Sequence, residues 1–168
     1  MEILILRLVH ILGGIAWVGG GIFAAFFLIP AVMGTPAMPQ VMEGLQRRRL
    51  FVFTPIFGIL TVLTGIRLLW IDSVGFDDSY MSTGPGRTFS IGGTAAIIAF
   101  ILQVFVSRPA GVKLGALAAK MAGNPPADER QRLTVEIEKL RKRNGMATMG
   151  AVSLGIIAAA AMALARYM

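Results

Sequence analysis

From Leu8 to Met42 the chain carries no charged side chain, and long apolar runs closed by polar residues return three more times. The runs cover about residues 3–33, 50–71, 87–108 and 145–167. At about 1.5 Å per helical residue, a run of some 20 apolar residues crosses a hydrocarbon core of about 30 Å. The pattern therefore predicts an all-α protein, an integral membrane four-helix bundle forming a single domain over residues 1–168. The first run is too long for the apolar core of a signal peptide and has no basic leader, since only Glu2 and Arg7 precede it as charges, so it is read as retained.

Breakers set the boundaries. Pro30, Gly34, Pro36 and Pro39 close the first helix, and residues 34–49 are expected to be a connecting loop. Gly75, Gly84 and Pro85 among Ser and Thr predict an irregular link before the third helix, which Arg108-Pro109 should end or kink. Residues 109–144 then change character. Val112, Leu117 and Met121 keep a weak helical stripe, and Gly123 stops it. Asn124-Pro125-Pro126-Ala127-Asp128-Glu129 has the form of a helix start, with a capping Asn, proline in the first turn and acids at the positive dipole end. Leu133, Ile137 and Leu140 continue on one face, supported by Asp128/Arg132 and Glu138/Lys142 four apart. Only Gly145 interrupts the path into the last run, which predicts a helix of about 43 residues, or about 64 Å. Half of it fits in a bilayer, so residues 109–144 are expected to form a helical hairpin outside the membrane, an extension of helices three and four.

Charge orients this plan. Of 16 Lys and Arg residues, 12 fall in two segments, Arg47 to Arg49 and Arg108 to Arg143, whereas Asp72, Asp77 and Asp78 lie between helices two and three. By the positive-inside rule the basic segments are cytoplasmic and the acidic one outside, with both termini outside, as in a bacterial inner membrane. The net charge of +7 is thus expected to set topology or meet anionic lipid, and no nucleic-acid partner is inferred. The absence of cysteine excludes disulfides, thiolate metal sites, iron–sulfur clusters and cysteine nucleophiles.

Candidate chemistry is sparse. On a 3.6-residue helix His10, Gly13, Gly14, Trp17, Gly20, Gly21 and Ala24 share one face, which places the only histidine and one of two tryptophans among residues without bulk. Counting along the helices puts Arg67, Arg7 and Arg87 near the depth of His10. One reading is a cofactor site: His10 as a haem or copper ligand, with Arg67 and Arg87 as partners for its anionic groups. The other is that the arginines and Trp70 anchor the interface and His10 makes an interhelical hydrogen bond. A lone His excludes bis-histidine ligation. Helix interiors hold no Asp, Glu or Lys, which argues against a proton relay or transporter; Gln103, Thr54, Thr61, Thr64 and Thr94 are the main polar groups there. No phosphate loop, zinc motif or hydrolase triad is present, and Met33, Met38 and Met42 are better read as packing than as a copper track. In helix four, Ala147, Ala151, Gly155, Ala159 and Ala163 recur every four residues, a ridge suited to close helix approach within the bundle or against another subunit.

Leu8-Val9-His10-Ile11-Leu12-Gly13-Gly14-Ile15-Ala16-Trp17-Val18-Gly19-Gly20 resembles the opening helix of a loose group of small bacterial membrane proteins, among them the copper-resistance D family and the HemJ type of protoporphyrinogen oxidase. The resemblance implies a helical bundle and, in the HemJ type, a haem held by the helix-one histidine, which maps onto His10. It does not extend further: Ala31 and Val32 follow Pro30 where that type has an Arg, and no later span carries a Lys. The sequence points to a non-catalytic integral membrane accessory subunit expected to pack against other membrane proteins, as in a respiratory or photosynthetic complex. The alternative is a haem-b or copper-binding membrane protein of the group just described.

Overall fold

The computed structural model describes all 168 residues and is helical throughout, without strands. Four helices are long and apolar enough to cross a membrane: α1 (Glu2–Val32), α3 (Leu50–Asp72), α5 (Gly84–Ala122) and α6 (Ala127–Tyr167). Two shorter ones connect them, α2 (Met38–Arg47) and α4 (Asp78–Met81). The boundaries of α1 and α3 lie within a residue or so of those predicted from the apolar runs.

The extension of the third long helix expected beyond Pro109 is present. Pro109 does not end the third long helix, which continues to Ala122. Just before it, Leu102–Ser107 widens into a π-helix, and Ala24–Leu28 does the same before Pro30. A proline ring collides with the carbonyl four residues back, here Phe105 and Phe26, and both lie in the widened turns. The ladder shifts locally and the helix goes on. What stops α1 is Met33, whose ψ of 127° is extended, followed by Gly34 at φ +79°, a left-handed value that glycine takes at no steric cost.

Residues 34–49 are not the loop expected from their prolines and glycines. Met38–Arg47 is helical, with Pro39 in the first turn where no donor is needed. Met38, Val41, Met42 and Leu45, at i, i+3, i+4 and i+7, are half-buried, while Gln40, Glu43, Gln46 and Arg47 are exposed. Two other starts are displaced. α5 begins at Gly84 rather than Arg87, because Thr83 Oγ1 caps it by accepting from the Gly86 amide at 3.2 Å. α6 begins at Ala127, and Asn124 is not its cap: with φ +56° it turns the chain, and its Oδ1 accepts from Arg130 Nη2 at 2.6 Å. From there α6 runs through Gly145 unbroken, as the lack of a stronger breaker requires.

The long helices pack as two antiparallel pairs, α1 on α3 and α5 on α6, and the pairs meet around Trp17. Close approach depends on small residues. Gly92 of α5 faces Ala161 and Ala158 of α6, and a Cβ there would sit 2.9 Å from the Ala161 methyl. Farther along, Thr148 Oγ1 donates to Ser107 Oγ at 3.3 Å, and Lys113 pairs with Glu136 at 2.7 Å where Leu117 and Leu133 are buried. The core is correspondingly slight, mostly Ala with Val152, Leu117, Leu133 and one large side chain, Trp17. Ile5, Leu8, Leu12, Ile15, Phe23 and Phe27 point outward from α1.

The four-residue ridge of α6 is only partly inward. Ala147 and Ala151 are half-buried and Gly155 is buried, its Cβ position 3.4 Å from Val18 Cγ1, but Ala159 and Ala163 are exposed and Ala158 and Ala165 are buried instead. Four residues turn a helix by about 400°, so a strict four-residue stripe drifts about 40° per step away from a straight partner. The buried series therefore passes from the ridge to 155, 158 and 165, as a 3.6-residue period demands.

Candidate functional site

The face of α1 predicted from His10 to Ala24 is the one that meets the other helices for most of its length. Trp17 is 5% exposed, the most enclosed large side chain of the bundle. Its room is made by Gly58 of α3, where a Cβ would lie 3.1 Å from Trp17 Cε2 and 2.8 Å from Phe100 Cδ2. Phe100 of α5 meets the indole edge-on, with centroids 5.9 Å apart and planes at 76°, the arrangement that matches positive ring edge to negative face. The indole Nε1–H donates to Gln103 Oε1, also of α5. One residue on, Val18 meets Gly155 of α6, so two consecutive residues of α1 touch the other three long helices.

Two turns away, His10 lies on bare backbone. A Cβ on Gly65 would stand 2.7 Å from His10 Cε1, and only hydrogen leaves space for the imidazole. His10 Nδ1 is 2.8 Å from the Thr61 carbonyl oxygen, with Thr64 Oγ1 at 3.4 Å. Because a carbonyl can only accept, Nδ1 carries a proton, and in the neutral ring Nε2 is left with a lone pair and no hydrogen-bond partner from the chain. Between these two residues, a Cβ on Gly13 would meet Thr61 Oγ1 at 2.8 Å and one on Gly14 would meet Thr61 Cγ2 at 3.6 Å; Thr61 Oγ1 itself donates back to the Phe57 carbonyl at 2.7 Å. Gly21 approaches Val152 of α6, but Gly20 faces open space with nothing within 4 Å.

The arginines do not join this group. Arg67 Nε donates to Glu2 Oε1 at 2.9 Å, with Nη2 at 2.8 Å from the same carboxylate oxygen as an ion pair, and its guanidinium stacks over Trp70 at 4.5 Å. Arg87 is exposed and makes no ion pair. Neither is hydrogen-bonded to His10, whose partners are Thr61 and Thr64, and no group of three His, Asp or Glu is arranged to hold a metal ion.

Gly58, Gly65 and Phe100 were absent from the sequence-level candidates. A signal existed for the first two: Gly58, Thr61 and Gly65 stand at i, i+3 and i+7 and so share a helix face, complementary to His10, Gly13 and Trp17. Nothing in the spacing of α5 marks Phe100 among its apolar neighbours. No protein-family model matches the chain, and neither does any curated protein or solved structure.

Proposed function

We propose that this chain is a non-catalytic integral membrane subunit. In this reading α1, α3, α5 and α6 span a bacterial inner membrane with both termini outside, and the ends of α5 and α6 stand in the cytoplasm as a hairpin. The outward surface packs against other membrane proteins, as in a respiratory or photosynthetic complex. The observation that carries the proposal is that the polar side chains at the centre of the bundle are already bonded for structural purposes. Trp17 donates to Gln103, His10 to the Thr61 carbonyl, and Thr54, Thr61 and Thr64 to carbonyls of their own helix. In lipid the bonds of Trp17 and His10 join helices, the threonine hydroxyls are spent on their own helix, and apart from the His10 Nε2 lone pair these groups offer no free acid, base or nucleophile.

The surface offered to a partner includes Gly19 and Gly20, exposed on α1 with nothing within 4 Å of either. A small residue facing lipid is where a neighbouring helix comes closest. Purification in mild detergent is expected to bring companion membrane proteins at fixed stoichiometry, and Gly19→Leu with Gly20→Leu to release them at unchanged helix content. A chain that always purifies alone, or companions indifferent to the double change, would overturn the proposal.

A second reading, His10 as a haem-b or copper ligand, is favoured by the free Nε2 lone pair, since a ring nitrogen fixed by a backbone carbonyl on the other side is the usual form of a ligating imidazole. The residues present fit one axial position and no more. Arg67 is already paired with Glu2. A reduced-minus-oxidised spectrum of the purified chain decides it: a stoichiometric band lost in His10→Ala supports ligation, and a colourless protein removes it.

A further inference from the structure

The two helix pairs touch closely at Gly58 and Phe100 and then part. Between α3 and α5 they leave a groove of about 300 Å³ lined by Val52, Pro55, Ile56 and Ile59 on one side and Phe100 and Val104 on the other, with Arg108 at its end. From Phe100 to Arg108 the groove follows eight residues of helix, about 12 Å. That is most of one leaflet of a hydrocarbon core. Arg108 is exposed and has no acidic partner, the three ion pairs of the structure being Arg47–Glu43, Arg67–Glu2 and Lys113–Glu136. The helix that supplies the other wall begins at Leu50, directly after Arg48 and Arg49, which are likewise without acidic partners. An open, largely apolar groove about 12 Å long thus ends at an unpaired guanidinium, with two more arginines in the chain just ahead of its first lining residue on α3.

We infer that this groove is a specific site for an anionic phospholipid, one acyl chain lying between α3 and α5 and the headgroup phosphate on Arg108. The inference rests on the membrane reading above but not on the presence of partner subunits. Guanidinium suits phosphate because its fork of N–H donors matches two oxygens at once, and an arginine at the apolar–polar boundary keeps its head at headgroup level while its stem stays in the groove. A neutral phospholipid would present its phosphate beside a fixed positive charge of its own, and a free phosphate would leave the groove unfilled.

The test uses the full chain, delipidated in detergent, and native mass spectrometry with phosphatidylglycerol, phosphatidylcholine or glycerol phosphate added. Retention of one phosphatidylglycerol per chain at about fivefold lower concentration than phosphatidylcholine is expected, the worth of one arginine against an anionic headgroup. Arg108→Gln should erase that preference, Ile56→Trp should weaken both lipids by filling the groove while leaving the cation in place, and Arg166→Gln at the far end of α6 should change nothing. Equal retention of the two lipids, a preference that survives Arg108→Gln, or displacement of the lipid by glycerol phosphate would each overturn the inference. Helix content by circular dichroism confirms that the variants compared are folded. Because no companion protein is present in the assay, a failed search for partner subunits leaves its outcome unaffected.

Discussion

The indole Nε1–H of Trp17 and the side-chain carbonyl of Gln103 close a hydrogen bond across 86 positions of sequence, joining the first helix pair to the second at the most enclosed large side chain in the molecule. In the membrane setting proposed above, apolar lipid would supply no hydrophobic drive to hold one pair against the other, so the bond would act together with the tight Gly58–Phe100 contact. Trp17→Phe keeps an aromatic ring and leaves Gln103 Oε1 without its donor; Gln103→Leu removes the acceptor. Each change should destabilise the bundle by about 1 kcal/mol in detergent unfolding, with a coupling of roughly 0.5–1.5 kcal/mol in the double mutant. Strict additivity would show that the bond contributes nothing.

Glycines of this chain divide sharply by what they face. Gly58→Ala drives a methyl into Phe100 and Trp17, and Gly65→Ala drives one into the His10 ring and its bond to Thr61. Both should lower stability by about 1–3 kcal/mol, the usual cost of overpacking. Gly19→Ala and Gly20→Ala meet nothing in the isolated chain and replace a poor helix former by the best one, so each should be neutral or stabilising by up to about 1 kcal/mol. Thermal unfolding of the four variants side by side checks this, and equal effects at all four would contradict the packing described.

Outside the apolar spans, the Lys113 ammonium hydrogen-bonds the Glu136 carboxylate at 2.7 Å, and that bond, with the charge behind it, holds the Glu136 carboxyl below the ordinary glutamate value. The folded chain therefore takes up this proton less readily than the unfolded chain. The bridge's contribution is complete above the unfolded-state value and is lost as pH falls through the lowered folded-state value. Both groups are largely exposed, so the effect on stability is small. An NMR titration should find Glu136 lowered in the native protein and moved up toward the ordinary value in Lys113→Gln; an unchanged titration would show that the pair does not persist in solution.

Topology is open to direct labelling. Ser79 lies in α4, the short helix between α3 and α5, next to Asp77 and Asp78. Asp77 accepts hydrogen bonds from the Ser79 amide and hydroxyl, which lower its carboxyl below the usual range and keep this link negatively charged. In cells, Ser79→Cys should react with a membrane-impermeant maleimide from outside, and a cysteine at Arg132 only after lysis. The opposite pattern would invert the orientation.

Much of the architecture was legible because apolar length and breakers are local properties. The four long helices, the continuity of α6 through Gly145 and the common face of His10, Gly13 and Trp17 follow from runs and from 3.6-residue spacing, but not the direction in which that face turns. Legibility failed where a local rule has a local escape. Arg108-Pro109 reads equally as an end or a kink, and a π-turn ahead of the ring lets the helix go on; residues 34–49 read as a loop from their glycines and prolines, yet Met38, Val41, Met42 and Leu45 form one helix face. The stripe from Ala147 to Ala163 reads as one ridge only if the drift of a four-residue period is ignored.

Composition and periodicity alone determined the helical class, the number of long apolar helices and which side chains lack bulk, since each depends on residues within a few turns of one another. Only the tertiary structure decided what those side chains meet. Arg67 turns to Glu2 rather than to His10, Trp17 finds Gln103, and His10 settles on Gly65, because helix pairing brings together positions some 50 to 90 residues apart whose register no local pattern encodes. In a bundle with so small a core, that register is set by where glycine lets one backbone approach another and where a buried donor finds an acceptor.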